Sequence, residues 1–266
     1  MANGILADSL KEFELALDDL ASNLEFVRAA RQLRPRLKDM LDWQNMDHEA
    51  QRLATTFLRQ QTAEESVLYR GMVVSLSGAF EQFVRRVLRD SVRAINKPGG
   101  AYDNLHEEIR RQNTYRTGLA LQTIFEPPDY LELDYEALSK NIGTCFIGSQ
   151  QVVLNADAFT IFLSIISPEK LSDALRRIGI TMNWDSLGSI AQLREAVETA
   201  GTRETAKAVK ESLKEFGRMR NRIAHSGSSG VSVDESDFEK LLKFFRIFAR
   251  GFSTIVAAGV TKLIPK

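Results

Sequence analysis

The stretch Tyr69-Arg-Gly-Met-Val-Val-Ser-Leu-Ser-Gly-Ala-Phe-Glu-Gln-Phe-Val-Arg-Arg-Val87 decides the fold class. Val73, Leu76, Phe80, Phe83 and Val87 recur at steps of three and four, which gathers them on one face of a helix. The pattern extends from about Ala63 to Ile95 and stops at Lys97-Pro98-Gly99-Gly100, the strongest breaker cluster in the chain. Toward the N-terminus, Leu10, Phe13, Leu17, Leu20, Leu24 and Val27 form a second apolar face between Asp8 and about Leu33. Pro35 is expected to end that helix, with another running from about Arg36 to Gln60.

Toward the C-terminus the pattern loosens between Gly99 and about Gly201. Short helices are expected at Asp103–Thr117, Tyr135–Asn141 and Pro168–Arg177. Gly143–Gly148 with Val152–Leu154 reads equally as a small hairpin or as buried loops. Regularity returns at about Arg203, where Ala206, Val209, Leu213, Phe216 and Ile223 share a face as far as Ser226-Gly227. Ser232 followed by Glu235 has the form of a capping box opening a last helix, whose apolar face is Phe238, Leu241, Phe245, Phe248, Phe252 and Ile255. The expected fold is therefore all-α: an up-and-down helical bundle with an irregular inserted segment.

Composition narrows the function classes. The 266 residues carry 35 Lys+Arg against 35 Asp+Glu, so no wholly basic nucleic-acid coat and no acidic tail dominates. The single cysteine, Cys145, excludes an intramolecular disulfide framework and suits a reducing compartment, so a cytoplasmic location is expected. The longest apolar tract, Gly251–Ile264, is short and interrupted by Ser253, Thr254, Thr261 and Lys262, and Asp8 stands where an export signal carries positive charge; no membrane association is expected. There is no Gly-rich phosphate loop and no cysteine pair for zinc, so no metal or cofactor is expected. Charge is nonetheless uneven: residues 1–50 hold six basic and ten acidic residues, whereas Arg203–Arg222 holds seven basic and three acidic.

The chemistry concentrates in Arg218-Met-Arg220-Asn221-Arg222-Ile-Ala-His225-Ser-Gly227. The inner-face series 206, 209, 213, 216 continues to 220, which places a guanidinium where an apolar side chain is expected. Burying an unpaired charge costs several kcal/mol, so Arg220 must be paired, face a wet cleft or lie at an interface. His225 stands at the C-terminal end of the same helix, where the helix dipole favours an imidazolium. Basic residues crowd many helix ends for that reason alone, so frequency matters. With 23 Arg, 10 Asn and three His in the chain, an Arg–His pair at one fixed spacing arises about 0.26 times by chance, and about 0.01 times once Asn must follow the Arg. His48 and His106 read as exposed polar residues on helices, and Cys145 as a packing residue.

Arg220-Asn221-Arg222-Ile223-Ala224-His225 resembles the signature of the HEPN superfamily: Arg, a polar residue that is often Asn, a short spacer, then His at the end of a bundle helix. The Tyr69–Val84 helix, apolar and then acidic at Glu81, is similar to a helix of the RiboL-PSP-like prokaryotic HEPN families. The resemblance covers roughly Ala63 to Phe252. Arg218, seven residues before His225, satisfies a looser spacing, so either arginine can be the motif residue; Arg220 is preferred because Asn221 follows it. The resemblance implies a HEPN-like domain over 63–260 with an insertion at about 99–201, preceded by a helical hairpin at 1–62 and followed by a tail at 261–266. It further implies a metal-independent endoribonuclease, cutting RNA to 2′,3′-cyclic phosphate and 5′-OH ends in a homodimer whose two motifs face one cleft. A bacterial defence or toxin–antitoxin setting is implied, with an antitoxin or defence-system protein as a further partner.

In such a site His225 moves protons, Arg220 stabilises charge on the phosphate, and Asn221 holds His225 or the phosphate. Glu81 is expected to accept a hydrogen bond from Arg220, with Arg218 in support. Arg222, Lys214, Arg85 and Arg89 (with Arg93 in line after Arg85 and Arg89) are candidate RNA-backbone contacts. The same charges also fit a solvated helix face with i,i+4 pairs such as Glu81–Arg85. Two rival readings follow: a non-catalytic helical module that binds RNA or protein or dimerises, and an adaptor in which Arg220 forms an interface ion pair.

Overall fold

Every long periodic stretch is a helix in the computed structural model, which describes residues 4–59, 62–96, 101–127, 133–147, 152–163, 167–226 and 231–264. The helices are α1 (Ala7–Met40), α2 (His48–Arg59), α3 (Thr62–Ile95), α4 (Glu107–Gln122), α5 (Tyr135–Phe146), α6 (Pro168–Arg176), α7 (Trp184–Gly188), α8 (Ala191–Ala196), α9 (Thr202–Ser226) and α10 (Glu235–Leu263), with a 3-10 turn at Ala156–Thr160 before α6. The architecture is an all-α bundle of α1, α3, α9 and α10, and no strand occurs among the described residues.

Phenylalanines join those four helices. Phe13 of α1 stacks on Phe83 of α3 at 4.8 Å between ring centres. Phe80 of α3 and Phe216 of α9 meet the same ring, Phe245 of α10, at 4.9 and 4.6 Å. All five are buried, and each such ring contributes roughly 1.5–3 kcal/mol of transfer free energy. The apolar faces read from the sequence are the core faces: Phe13, Leu17, Leu20, Leu24 and Val27 of α1 lie in the same cluster as α3, α9 and α10.

Three local expectations change. First, α1 does not end at Pro35 but continues to Met40, and the break falls at 41–47. Arg31 and Arg34, in the turn before the proline, are both held by the carboxylate of Glu65 on α3, which keeps that part of α1 docked across the missing hydrogen bond. Second, the capping box of α10 is built from Asp234 and Asp237, not Ser232 and Glu235. Third, Gly143–Phe146 is the last turn of α5 and Val152–Leu154 is irregular backbone; the hairpin tip, 148–151, lies outside the described residues.

The insertion is more ordered than its sequence pattern. A buried amide cluster ties it together: Asn155 donates from its backbone to Asn113 Oδ1 (2.9 Å) and from its side chain to Thr117 Oγ1 and Leu138 O (both 3.0 Å). Asn113 in turn donates to Cys145 Sγ at 3.6 Å. Burial raises the Cys145 thiol above its ordinary pKa, so the cysteine is an inert packing residue.

Candidate functional site

The last turns of α9 arrange the motif by helical geometry. Positions 218, 221, 222 and 225 fall at steps of three, one and three, and all four residues, Arg218, Asn221, Arg222 and His225, are exposed. Arg220 belongs to the opposite, inner series and is half-buried one turn beyond the buried Phe216. Five residues separate Arg220 from His225, about 7.5 Å along the axis and about 140° around it, so the two do not share a face.

Asn221 bridges that difference. Arg220 Nη1 donates to Asn221 Oδ1 at 3.2 Å, and Asn221 lies one turn from His225 on the exposed face. Arg220 Nε is buried and has no hydrogen-bond partner. Arg218 differs: its guanidinium is exposed and paired with Glu211 at 3.0 Å.

The expected Glu81–Arg220 hydrogen bond is not formed. Arg70 of α3 donates to Val231 O, just past the end of α9, at 3.3 Å, while Phe80 and Phe216 share Phe245. The two helices therefore run antiparallel. Glu81 follows Phe80, whose shared contact with Phe245 puts it about level with Phe216, so Glu81 stands near the turn of α9 before Arg220 without a hydrogen bond to it among the described residues.

The basic stripe on α3 is also corrected. Arg85 is buried, with Nη1 on Thr160 O (2.5 Å) and Nη2 on Leu163 O (2.7 Å). It holds the insertion to the bundle and presents no charge to a phosphate backbone. Arg89 is half-buried against Asp157 at 2.9 Å, and exposed Arg93 is beside Asp90. On α9, Lys214 pairs with Glu169 at 3.3 Å and Lys210 lies over the Trp184 ring. The charge of α9 is thus partly offset along its middle.

Sequence reading missed the network bracketing the same end of the bundle. Buried Glu65 accepts from Arg31 at 3.0 Å and from Arg34 at 3.4 Å. Arg31 also bonds the Tyr69 hydroxyl (2.6 Å) and Glu235 (2.9 Å), the first residue of α10. Glu235 pairs with Arg28 as well, at 2.6 Å. Burial pushes the Tyr69 phenol up. With Arg70 on Val231, these contacts fix both the start of α10 and the segment leading into it. The i,i+3 spacing of Arg28, Arg31 and Arg34 was visible in the sequence, but their partners on other helices are 31 to 211 residues away.

His106 caps α4, its Nδ1 accepting from Glu108 N, and His48 is exposed at the start of α2. Among the described residues, no three His, Cys, Asp or Glu residues converge as metal ligands, and no helix is long and apolar enough to cross a membrane. A model of the RiboL-PSP-HEPN family matches residues 34–258. No curated protein and no solved structure shows significant similarity to the chain.

Proposed function

The chain belongs to the RiboL-PSP-HEPN family, one of ribonuclease-type and RNA-binding domains, and on that premise we propose that it is an endoribonuclease acting through Arg220, Asn221 and His225. The observation that carries this reading is half-buried Arg220, tethered by Nη1 to Asn221 on the face that carries His225, with its Nε unbonded.

RNA brings its own nucleophile. The 2′-oxygen attacks the adjacent phosphorus, the bond to the 5′-oxygen breaks, and a 2′,3′-cyclic phosphate and a 5′-OH remain. One proton leaves the 2′-OH and one reaches the departing 5′-oxygen. His225, exposed at the end of α9, carries a proton in one of these transfers, a role worth typically 10²–10⁴-fold. Charge builds on the non-bridging oxygens during attack, and Arg220, already desolvated on one side, stabilises it. Asn221 accepts from Arg220 and keeps its amide N–H groups for His225 or the phosphate. A second copy of the chain would supply a second His225, so that one imidazole takes a proton while the other gives one. In that assembly the two motifs face a single cleft.

His225→Ala and Arg220→Ala should each lower cleavage of a labelled RNA by at least about 10²-fold with unchanged helical circular dichroism. Both positions leave the core intact, so loss of activity would report chemistry. Undiminished cleavage by the double variant, or RNA binding by the wild type with every RNA end unaltered, would overturn the proposal; the second result would leave an RNA-binding module. The biological setting we propose is bacterial defence or a toxin–antitoxin pair in the cytoplasm, tested by growth arrest on expression of the wild type and its absence with His225→Ala.

A further inference from the structure

Two arginines of the insertion form no ion pair with a carboxylate among the described residues, although Asp173 stands near enough to Arg177 to favour its charge. Arg177, at the C-terminal end of α6, donates from Nη1 to Phe159 O at 2.9 Å and Ile161 O at 3.1 Å. Arg116 of α4 donates only from Nε, to the neutral Gln112 side chain at 3.2 Å, and lies 5.1 Å from the centre of the Tyr115 ring. Arg85 reaches the same turn from α3, through Thr160 O and Leu163 O. Two cations therefore hold residues 159–163, and Arg116 lies close enough to Arg177 to repel it.

Holding a turn explains only some of these donors. Arg177 Nη2 and both Arg116 Nη groups are left over, and both side chains are half-buried rather than solvated. Burial, then Arg116 and Arg85, push the Arg177 pKa down to about 10, against a smaller opposing pull from Asp173 and Tyr115. A desolvated group of like charges is unfavourable unless an anion offsets it.

The turn has a second peculiarity. Phe162 has φ +49, a left-handed conformation that disfavours a residue with a bulky side chain. Its ring is nevertheless 53% exposed, and Tyr115 is 54% exposed. Arginines on both sides clamp the carbonyls around Phe162, which holds the strained residue with its ring in solvent. A strained backbone presenting an exposed aromatic beside unneutralised guanidinium groups suits a ligand with both a flat ring and a phosphate.

We propose that Arg116 and Arg177, flanked by Tyr115 and Phe162, form a nucleotide-phosphate site separate from the Arg220–His225 motif. The phosphate takes the free guanidinium N–H groups, and a base stacks on an aromatic ring. The phosphate can come from an RNA strand passing over the insertion or from a free mononucleotide. The site rests on its own geometry and does not require the chain to cut RNA.

The test uses the full chain and three probes: a 2′-O-methyl single-stranded 12-mer, which the 2′-OH chemistry cannot cleave, AMP, and inorganic phosphate. Arg116→Gln is the principal variant, because Arg116 does not hold the turn; Tyr115→Ala tests stacking, and Arg52→Gln removes an exposed charge elsewhere. Arg116→Gln should weaken binding on the order of tenfold and lower the salt slope of oligonucleotide binding by about one. Tyr115→Ala should weaken the 12-mer and AMP but not inorganic phosphate. Loss for the 12-mer alone identifies an RNA strand as the source, and loss for AMP a free nucleotide. No probe binding to the wild type, or Arg116→Gln behaving like Arg52→Gln with every probe, would overturn the site. Loss of cleavage by His225→Ala leaves this proposal untouched, and failure at Arg116 leaves the cleavage proposal untouched.

Discussion

Arginine meets three fates in this molecule, and burial together with partners decides which. Arg85 is buried and saturates two carbonyls; Arg218 is exposed beside Glu211; Arg220 is half-buried with one donor unspent. Removing the first should leave Thr160 O and Leu163 O unpaired. Arg85→Met is therefore expected to lose about 2–4 kcal/mol, seen as a fall in Tm of roughly 4–16 °C in a calorimetric scan. Arg218→Ala removes an exposed pair worth about 0–1 kcal/mol and should change Tm by little. If Arg220 is the motif arginine, as we propose, Arg218→Ala also retains most cleavage. Arg220 was legible in the sequence because it broke an apolar register on its own helix. Arg85 was misread because spacing along α3 does not reveal that a turn from 75 residues away covers it.

At the scale of elements, two contacts set how closely helices approach α9 and α10. A Cβ on Gly188 of α7 would come within 2.1 Å of the Thr202 carbonyl oxygen and 3.0 Å of Ala206 N, both backbone atoms of α9. Backbone cannot swing aside, so Gly188→Ala should cost about 1–3 kcal/mol or more through overpacking, measurable as a lower urea midpoint. Asp234 caps α10 by accepting from Asp237 N at 2.9 Å. Asp234→Ala should lose about 1 kcal/mol by the same measurement, while Ser232→Ala should lose much less. The capping pattern was readable, but two Ser/Asp-type positions with acids three residues on competed for it. Only the point at which the chain turns into α10 selected between them.

For the whole molecule, α1 is part of the bundle core, since five of its apolar residues join the cluster of α3, α9 and α10. A chain lacking residues 1–40 should expose the rings of Phe80 and Phe83 and lose cooperative thermal unfolding; a sharp transition near that of the full chain would contradict this. Glu65 is the centre of the network that holds α1 to α3, and its partner Arg31 continues to α10. Glu65→Ala leaves Arg31 and Arg34 without that carboxylate and is expected to cost about 1.5–3 kcal/mol. Glu65→Gln, which keeps the acceptor oxygen, should recover part of the loss.

The sequence by itself determined the long helices and their buried faces, because helical periodicity is a property of neighbours three and four residues apart; the short helices α7 and α8 and the end of α1 were not legible in it. It also marked Arg220 as a charge out of place. Tertiary structure alone decided that Arg220 takes Asn221 and not Glu81 as its partner, that Arg85 faces inward, and that Arg116 and Arg177 lie close enough to interact. Each of those depends on segments tens to hundreds of residues apart. Whether a charge is solvated, paired or left waiting is fixed by what packs against it, and no local pattern carries that information.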